Sequence, residues 1–140
     1  MQQTWILYPM FVMVLLSMMV GLRMLQLRYR AVLQDNLPIG YFEHNRGAKP
    51  PAYMMQADQN FTNLYETPVL FYAGVILIYV LNMTNLFSLT MSWAYVGSRI
   101  MHSYVHMGPN HVAIRRNSFL AGIAILGVLW SYMLIGLLTR

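Results

Sequence analysis

The placement of uncharged stretches limits most what this chain can become. Three stand out: Met1–Leu22, Thr67–Ser98 and Asn117–Thr139. The first and last each match the ~20 apolar residues that carry a helix across a hydrocarbon core. The middle run is too long for one span and too short for two complete ones. At its centre, Asn82-Met83-Thr84-Asn85 reads as a tight turn between two helices. Each half then keeps about fifteen apolar residues, short of the ~20 required. Both helices must therefore continue into polar sequence, one back through Glu66 to about Gln56 and the other on through Arg99 to about Met107. The expectation is a single all-α membrane domain over residues 1–140, a four-helix bundle with helices at roughly 4–31, 56–82, 86–107 and 115–138 and a cytoplasmic loop at 32–55. Two spans around one long buried hairpin fit less well, because neither half of the middle run crosses without its polar end.

Composition agrees. Of 140 residues, 58% are hydrophobic and 9% charged, with a mean hydropathy of +0.47, the profile of an integral membrane protein with no room for a second, soluble domain. There is no cysteine, which excludes a disulfide framework, a thiolate metal site and a cysteine nucleophile. No basic residue precedes the long first apolar run, so that run is expected to stay as a helix and not to be cleaved as a signal peptide. The thirteen methionines read as adaptable packing in core and lipid-facing surfaces.

Loop charge sets the expected orientation. Arg23, Arg28, Arg30, Arg46, Lys49, Arg115 and Arg116 all fall at the side reached by the first and third connections, against Arg140 alone on the other. The positive-inside rule then places those connections in the cytoplasm and both termini away from it. Trp5 and Tyr8 suit the outer interface of the first helix, and Trp130 and Tyr132 that of the last. The net charge of +5 is accounted for by this rule and by anionic lipid, and no nucleic-acid partner is expected. The longest connection, about Ala31–Pro51, is rich in turn residues and reads as an irregular cap or lid.

Within the spans, the charged residues are the informative ones. Glu66 lies about seventeen residues before the middle of the 82–85 turn and Arg99 about fifteen after it, so their depths differ by only ~3 Å. Intramembrane charges are costly, face a bundle interior and mark functional sites. Gln59, Asn63 and Glu66 step by four and three along one helix face. Arg99, His102 and His106 form a second such stripe, and the two are expected to meet. A Glu66–Arg99 brace holding two helices in register would need only those two residues. The extra amides and imidazoles, with Arg23, Arg28, Arg115 and Arg116 at the same level, favour a polar, cationic cavity open to the cytoplasm. It would suit a small ligand bearing carboxylate or phosphate. His102 and His106 have the spacing of a helical zinc pair but lack the adjacent glutamate and an evident third ligand, so no metal is expected. Ser98, Ser103 and Ser118 have no elbow glycines, which removes a serine triad.

Together, Asn63-x-x-Glu66-x-Pro68, Arg99-x-x-His102, Arg116 at the start of the last helix and the basic Leu27-Arg28-Tyr29-Arg30 segment resemble the pattern of the MAPEG family, the membrane-associated proteins in eicosanoid and glutathione metabolism. The likeness covers nearly the whole chain and is nearer to small bacterial members than to eicosanoid synthases. It implies a homotrimer of four-helix bundles, in a bacterial inner membrane, with glutathione in a cleft between subunits near the cytoplasmic face. By the same resemblance, Asn63 and Glu66 would hold the peptide's amino and backbone groups. Arg28 or Arg30 and His102 would contact its carboxylates or line the cleft, with Gln59 and His106 beside them. Arg116, with Asn117 or Ser118, would stabilise the thiolate; Arg99 would brace the helices. The chain departs from the pattern at Gln59, where glutathione-binding members usually carry arginine, and at His106, where they usually carry tyrosine. Loss of one cationic contact in a buried site is worth ~1.5–3 kcal/mol. The function expected is a glutathione-dependent transferase or peroxidase acting on lipophilic electrophiles from the bilayer. The alternative is a non-catalytic interaction or scaffold subunit of the same fold. No broken helix or inverted repeat speaks for a transporter.

Overall fold

The computed structural model describes residues 2–139, and all its regular structure is helical. A short 3₁₀ turn, Gln3–Ile6, leads into α1, Leu7–Gln34. One helical turn, α2 (Tyr41–His44), interrupts the connection to α3, Ala52–Val80. Then come α4, Leu86–Met107, and α5, Val112–Leu138. Against the positions read from the sequence, α3 starts four residues early, directly after Pro51, α5 starts three residues early, after His111, and α1 lies three residues later at both ends, while α4 coincides. Proline fixes a φ suited to helix entry, which explains the first of these.

The connections follow from asparagine chemistry. Asn36, Asn45, Asn82 and Asn110 all have positive φ, between 51° and 54°, a region asparagine enters more readily than other residues bearing a side chain. At Asn36 the reversal turns the Leu37 N–H back onto the Ala31 carbonyl at 3.0 Å, and Leu37 is buried with Ala31 and Met54. Asn82 ends α3, and Asn85 opens α4 with a reciprocal cap: its Oδ1 accepts from Ser88 N–H at 2.9 Å while its own N–H donates to Ser88 Oγ at 3.0 Å. Gln3 and Tyr132 latch this end of the molecule. Gln3 Nε2 donates to the Tyr79 carbonyl at 2.6 Å, and the Tyr132 hydroxyl donates to the Met83 carbonyl at 2.9 Å.

The buried stripe of α1, Pro9, Met13, Leu16, Val20, Met24, Leu27 and Ala31, steps by three and four. Its opposite face is just as apolar: Phe11, Leu15, Met18, Met19 and Leu22 are all exposed, as a lipid-facing helix requires. Three helical segments are long and apolar enough to cross a membrane: Gln3–Gln34, Ala52–Val80 and Val112–Leu138. α4 has the length, 22 residues, but Arg99, His102, His106 and its serines make it more polar. Those groups are turned into the protein.

The packing order decides where. α4 lies most extensively against α5, and α1 against α3, while α3 and α4, joined by the tight turn, share a smaller seam. Phe71 and Tyr95 stack across that seam, ring centroids 4.4 Å apart. The main apolar core, with Met13, Val20, Val75, Ile78, Val96, Leu126 and Leu129, joins both pairs.

Candidate functional site

The two polar stripes exist, but they do not face each other. On α3, the buried face is Ala57, Asn60, Leu64, Pro68, Phe71, Val75 and Ile78. Gln59 and Glu66 are exposed and Asn63 is half-buried, so this stripe looks outward. On α4, Arg99, His102, Ser103 and His106 are all buried. The expected Glu66–Arg99 neighbourhood is absent: one residue lies on the surface and the other is 1% exposed. The cause is rotational. Because α4 is pressed on α5, Arg99 and His102 turn to α5.

Arg99 is held there without a carboxylate. Its guanidinium lies over the rings of Tyr95 and Phe119, 5.2 and 4.9 Å from their centroids, and Nη2 donates to the Phe119 carbonyl at 3.3 Å. Nε and Nη1 have no hydrogen-bond partner among the described residues. Cation–π contact of this kind is worth about 2 kcal/mol or more when desolvated. Gly122 makes the fit possible, since a Cβ there would stand 2.5 Å from Arg99 Nη2 and 2.8 Å from Ser98 Oγ. His102 also turns to α5, its Nδ1 3.0 Å from the Arg115 carbonyl. A carbonyl only accepts, so Nδ1 carries the proton and a neutral ring keeps its lone pair on Nε2. The polar link from α4 to α3 is instead Ser103, whose hydroxyl donates to Asn60 Oδ1 at 3.1 Å in the core.

Towards the end of α4 the stripes do converge. A hollow of about 360 Å³ is lined by Asp58, Gln59, Thr62 and Asn63 of α3, His106 of α4 and Arg115 of α5. Arg28 of α1 reaches its wall through the only ion pair among the described residues, Nε to Asp58 Oδ1 at 2.9 Å, and also lies 5.6 Å over the Phe42 ring. Arg115 Nη1 is steadied by Asn110 Oδ1 at 2.8 Å. Both signs of charge thus border one opening of a size suited to a small ligand.

Of the residues singled out from the sequence, Gln59, Asn63, His106 and Arg115 are brought together here. Glu66 stands one helical turn beyond Asn63 on the same outward face. His102 sits behind His106, ring centroids 5.5 Å apart. Arg30 lies over the Tyr53 ring at 5.0 Å. Arg116 is exposed, with Nε and Nη2 each 3.2 Å from Oδ1 of the adjacent Asn117. Neither arginine lines the hollow of its own chain. Sequence reasoning missed Asp58 and Asn60. Asn60 could have been found from the apolar register of α3, since it falls on the line through Ala57 and Leu64; Asp58 shares a helix face with Thr62, four residues on.

No curated protein and no solved structure gives a significant match to the chain. A family model does, aligning with residues 6–135, from the end of the 3₁₀ turn almost to the end of α5. That stretch contains both polar stripes, the hollow and nearly all of the three apolar spans. The chain is a membrane protein and belongs to the MAPEG family.

Proposed function

We propose that the chain forms a homotrimer of four-helix bundles in a bacterial inner membrane, with both basic connections in the cytoplasm, and binds glutathione in clefts between subunits for transfer to lipophilic electrophiles. The observation that carries this reading is Glu66, an exposed carboxylate on a helix long and apolar enough to cross a membrane, aligned with Asn63 and Gln59, which line the hollow. A charge turned towards lipid is costly, so this face calls for a polar counterpart from outside the chain. A neighbouring subunit with a bound peptide meets that need. Glutathione carries one ammonium and two carboxylates. Asp58 and Glu66 suit the first, and Arg115 and Arg28 suit the second. Arg116 projects outward from α5, available to a cleft completed by another copy. A guanidinium beside a thiol favours the thiolate and so the nucleophile.

A second reading draws on Arg28, already engaged by Asp58, and on uncharged Gln59. With only Arg115 of the lining residues cationic, the hollow also suits a subunit that holds a peptide or lipid without conjugating it.

Titration of glutathione into detergent-purified protein tests the proposal. Saturable binding is expected, weakened at least tenfold in Glu66→Gln, which removes a charged hydrogen-bond partner worth ~1.5–3 kcal/mol. Turnover of a chlorinated nitroarene is expected and should be lost in Arg116→Ala. Absence of saturable binding, or binding indifferent to Glu66→Gln, would sink the enzyme reading. Binding without turnover selects the scaffold. Cross-linking in detergent that stops at dimers overturns the trimer.

A further inference from the structure

The outward face of α1 stays apolar beyond the point where hydrocarbon ends. Met18, Leu22, Leu25, Tyr29 and Val32 step by four and three along it, all exposed except half-buried Val32. With 28 residues the helix is ~42 Å long, against ~30 Å of hydrocarbon. Its first charge is Arg23, so the excess lies at the far end, among headgroups. There Leu25, Arg28, Tyr29 and Val32 form one wall of a groove of about 330 Å³, and Ile39 and Phe42 of the connection form the other. Arg28 is the one charged residue of this groove, and it is already engaged: its guanidinium lies over the Phe42 ring and Nε donates to Asp58. A ligand of the groove must find its cation elsewhere.

The next hollow along the connection supplies one. It measures about 490 Å³ and is lined by Gly40, His44, Arg46 and Gly47, with no carboxylate. Arg46 is exposed and has no acidic partner among the described residues. Of the nearby acids, Asp35 accepts from the Tyr53 hydroxyl, and Glu43 lines neither space. Gly40 follows Ile39 directly, so an apolar groove and a basic hollow meet at one peptide bond.

We propose that this joint between α1 and the connection binds one anionic phospholipid of the adjoining leaflet. An acyl chain follows the α1 stripe from Met18 into the groove, between Leu25 and Ile39. The phosphate sits at Arg46, which donates charge-assisted hydrogen bonds to it, with His44 alongside. A zwitterionic lipid would fill the groove equally well but would bring a second cation to the basic hollow. This lipid site uses none of the residues that line the hollow at Asp58, so it is independent of the glutathione reading.

The test places the full-length protein in nanodiscs of equimolar phosphatidylglycerol and phosphatidylcholine and counts retained lipid by native mass spectrometry. One phosphatidylglycerol per chain should be kept, about tenfold in preference to phosphatidylcholine. Arg46→Gln with His44→Gln should abolish the preference and leave lipid in the groove. Leu25→Asn with Ile39→Asn should reduce retention of both lipids about tenfold. All four residues are exposed, so both variants should fold, as circular dichroism checks. Equal retention of the two lipids by wild type overturns the anionic assignment, as does a preference that survives Arg46→Gln with His44→Gln. Undiminished retention in Leu25→Asn with Ile39→Asn puts the lipid elsewhere on the basic side and overturns the site. An oligomer that dissociates in that variant while its lipid stays bound identifies a second copy as the occupant, which also overturns it.

Discussion

The α4 stripe and the α3 stripe are both polar and similarly spaced, yet they solve opposite problems. Arg99, His102 and Ser103 are met by their own chain: aromatic faces, two carbonyls of α5 and the amide of Asn60. Gln59 and Glu66 are exposed on the outer face. Periodicity alone reports that residues share a face. What distinguishes a structural stripe from a binding stripe is whether the neighbouring helix supplies complementary groups. The first kind should respond to substitution through stability, the second through ligand affinity.

The largest effect should come from Gly122→Val. Its side chain would intrude on Arg99 and Ser98, and overpacking of this kind costs ~3 kcal/mol, read as a lower unfolding temperature in detergent with secondary structure retained below it. Asn60→Leu should come next at about 2 kcal/mol, because Ser103 is left without its acceptor. Combining it with Ser103→Ala should recover part of that loss, since removing both partners is milder than removing one. An additive result would show that the two do not act as a pair. On the α3 side, Gln59→Arg should leave unfolding unchanged and tighten glutathione binding about tenfold, equivalent to ~1.4 kcal/mol. Weaker binding would mean that the added cation repels Arg115 more than it attracts the peptide. Only a small loss of stability is expected for Asp58→Asn. The Arg28–Asp58 pair is partly solvated, with side-chain exposures of 36% and 25%, so its loss should cost about 0.5 kcal/mol. A drop comparable to that of Asn60→Leu would move Asp58 into the structural class.

Much of this was legible beforehand. The uncharged runs located the helices, and Asn82–Asn85 located the reversal between α3 and α4, because helix length in a bilayer and asparagine at a turn are local matters. The orientation of α4 was not local. Helices joined by a short turn were expected to present their polar faces to each other, but α4 packs chiefly on α5. The attraction lies in features that hydropathy does not weigh: the missing side chain of Gly122, the ring of Phe119 and the backbone oxygens around them. On α3, which packs chiefly on α1, the buried face takes in Asn60 and leaves Glu66 outside. The packing of α4 on α5 also brings Arg115, the neighbour of the arginine that the motif pointed to, to the hollow.

The enclosure of Arg99 also bears on how the chain is made. An arginine at the centre of a helix costs ~2.5–3.5 kcal/mol on entry into the bilayer, and nothing within α4 itself offsets a full share of that. Phe119 and the carbonyl that receives Arg99 belong to α5, which leaves the ribosome only after α4. α4 is therefore a poor solitary entrant, and α5, apolar through most of its 27 residues, is a good one. The connection between them, Gly108 to His111, is short enough that the two can be delivered as a single hairpin.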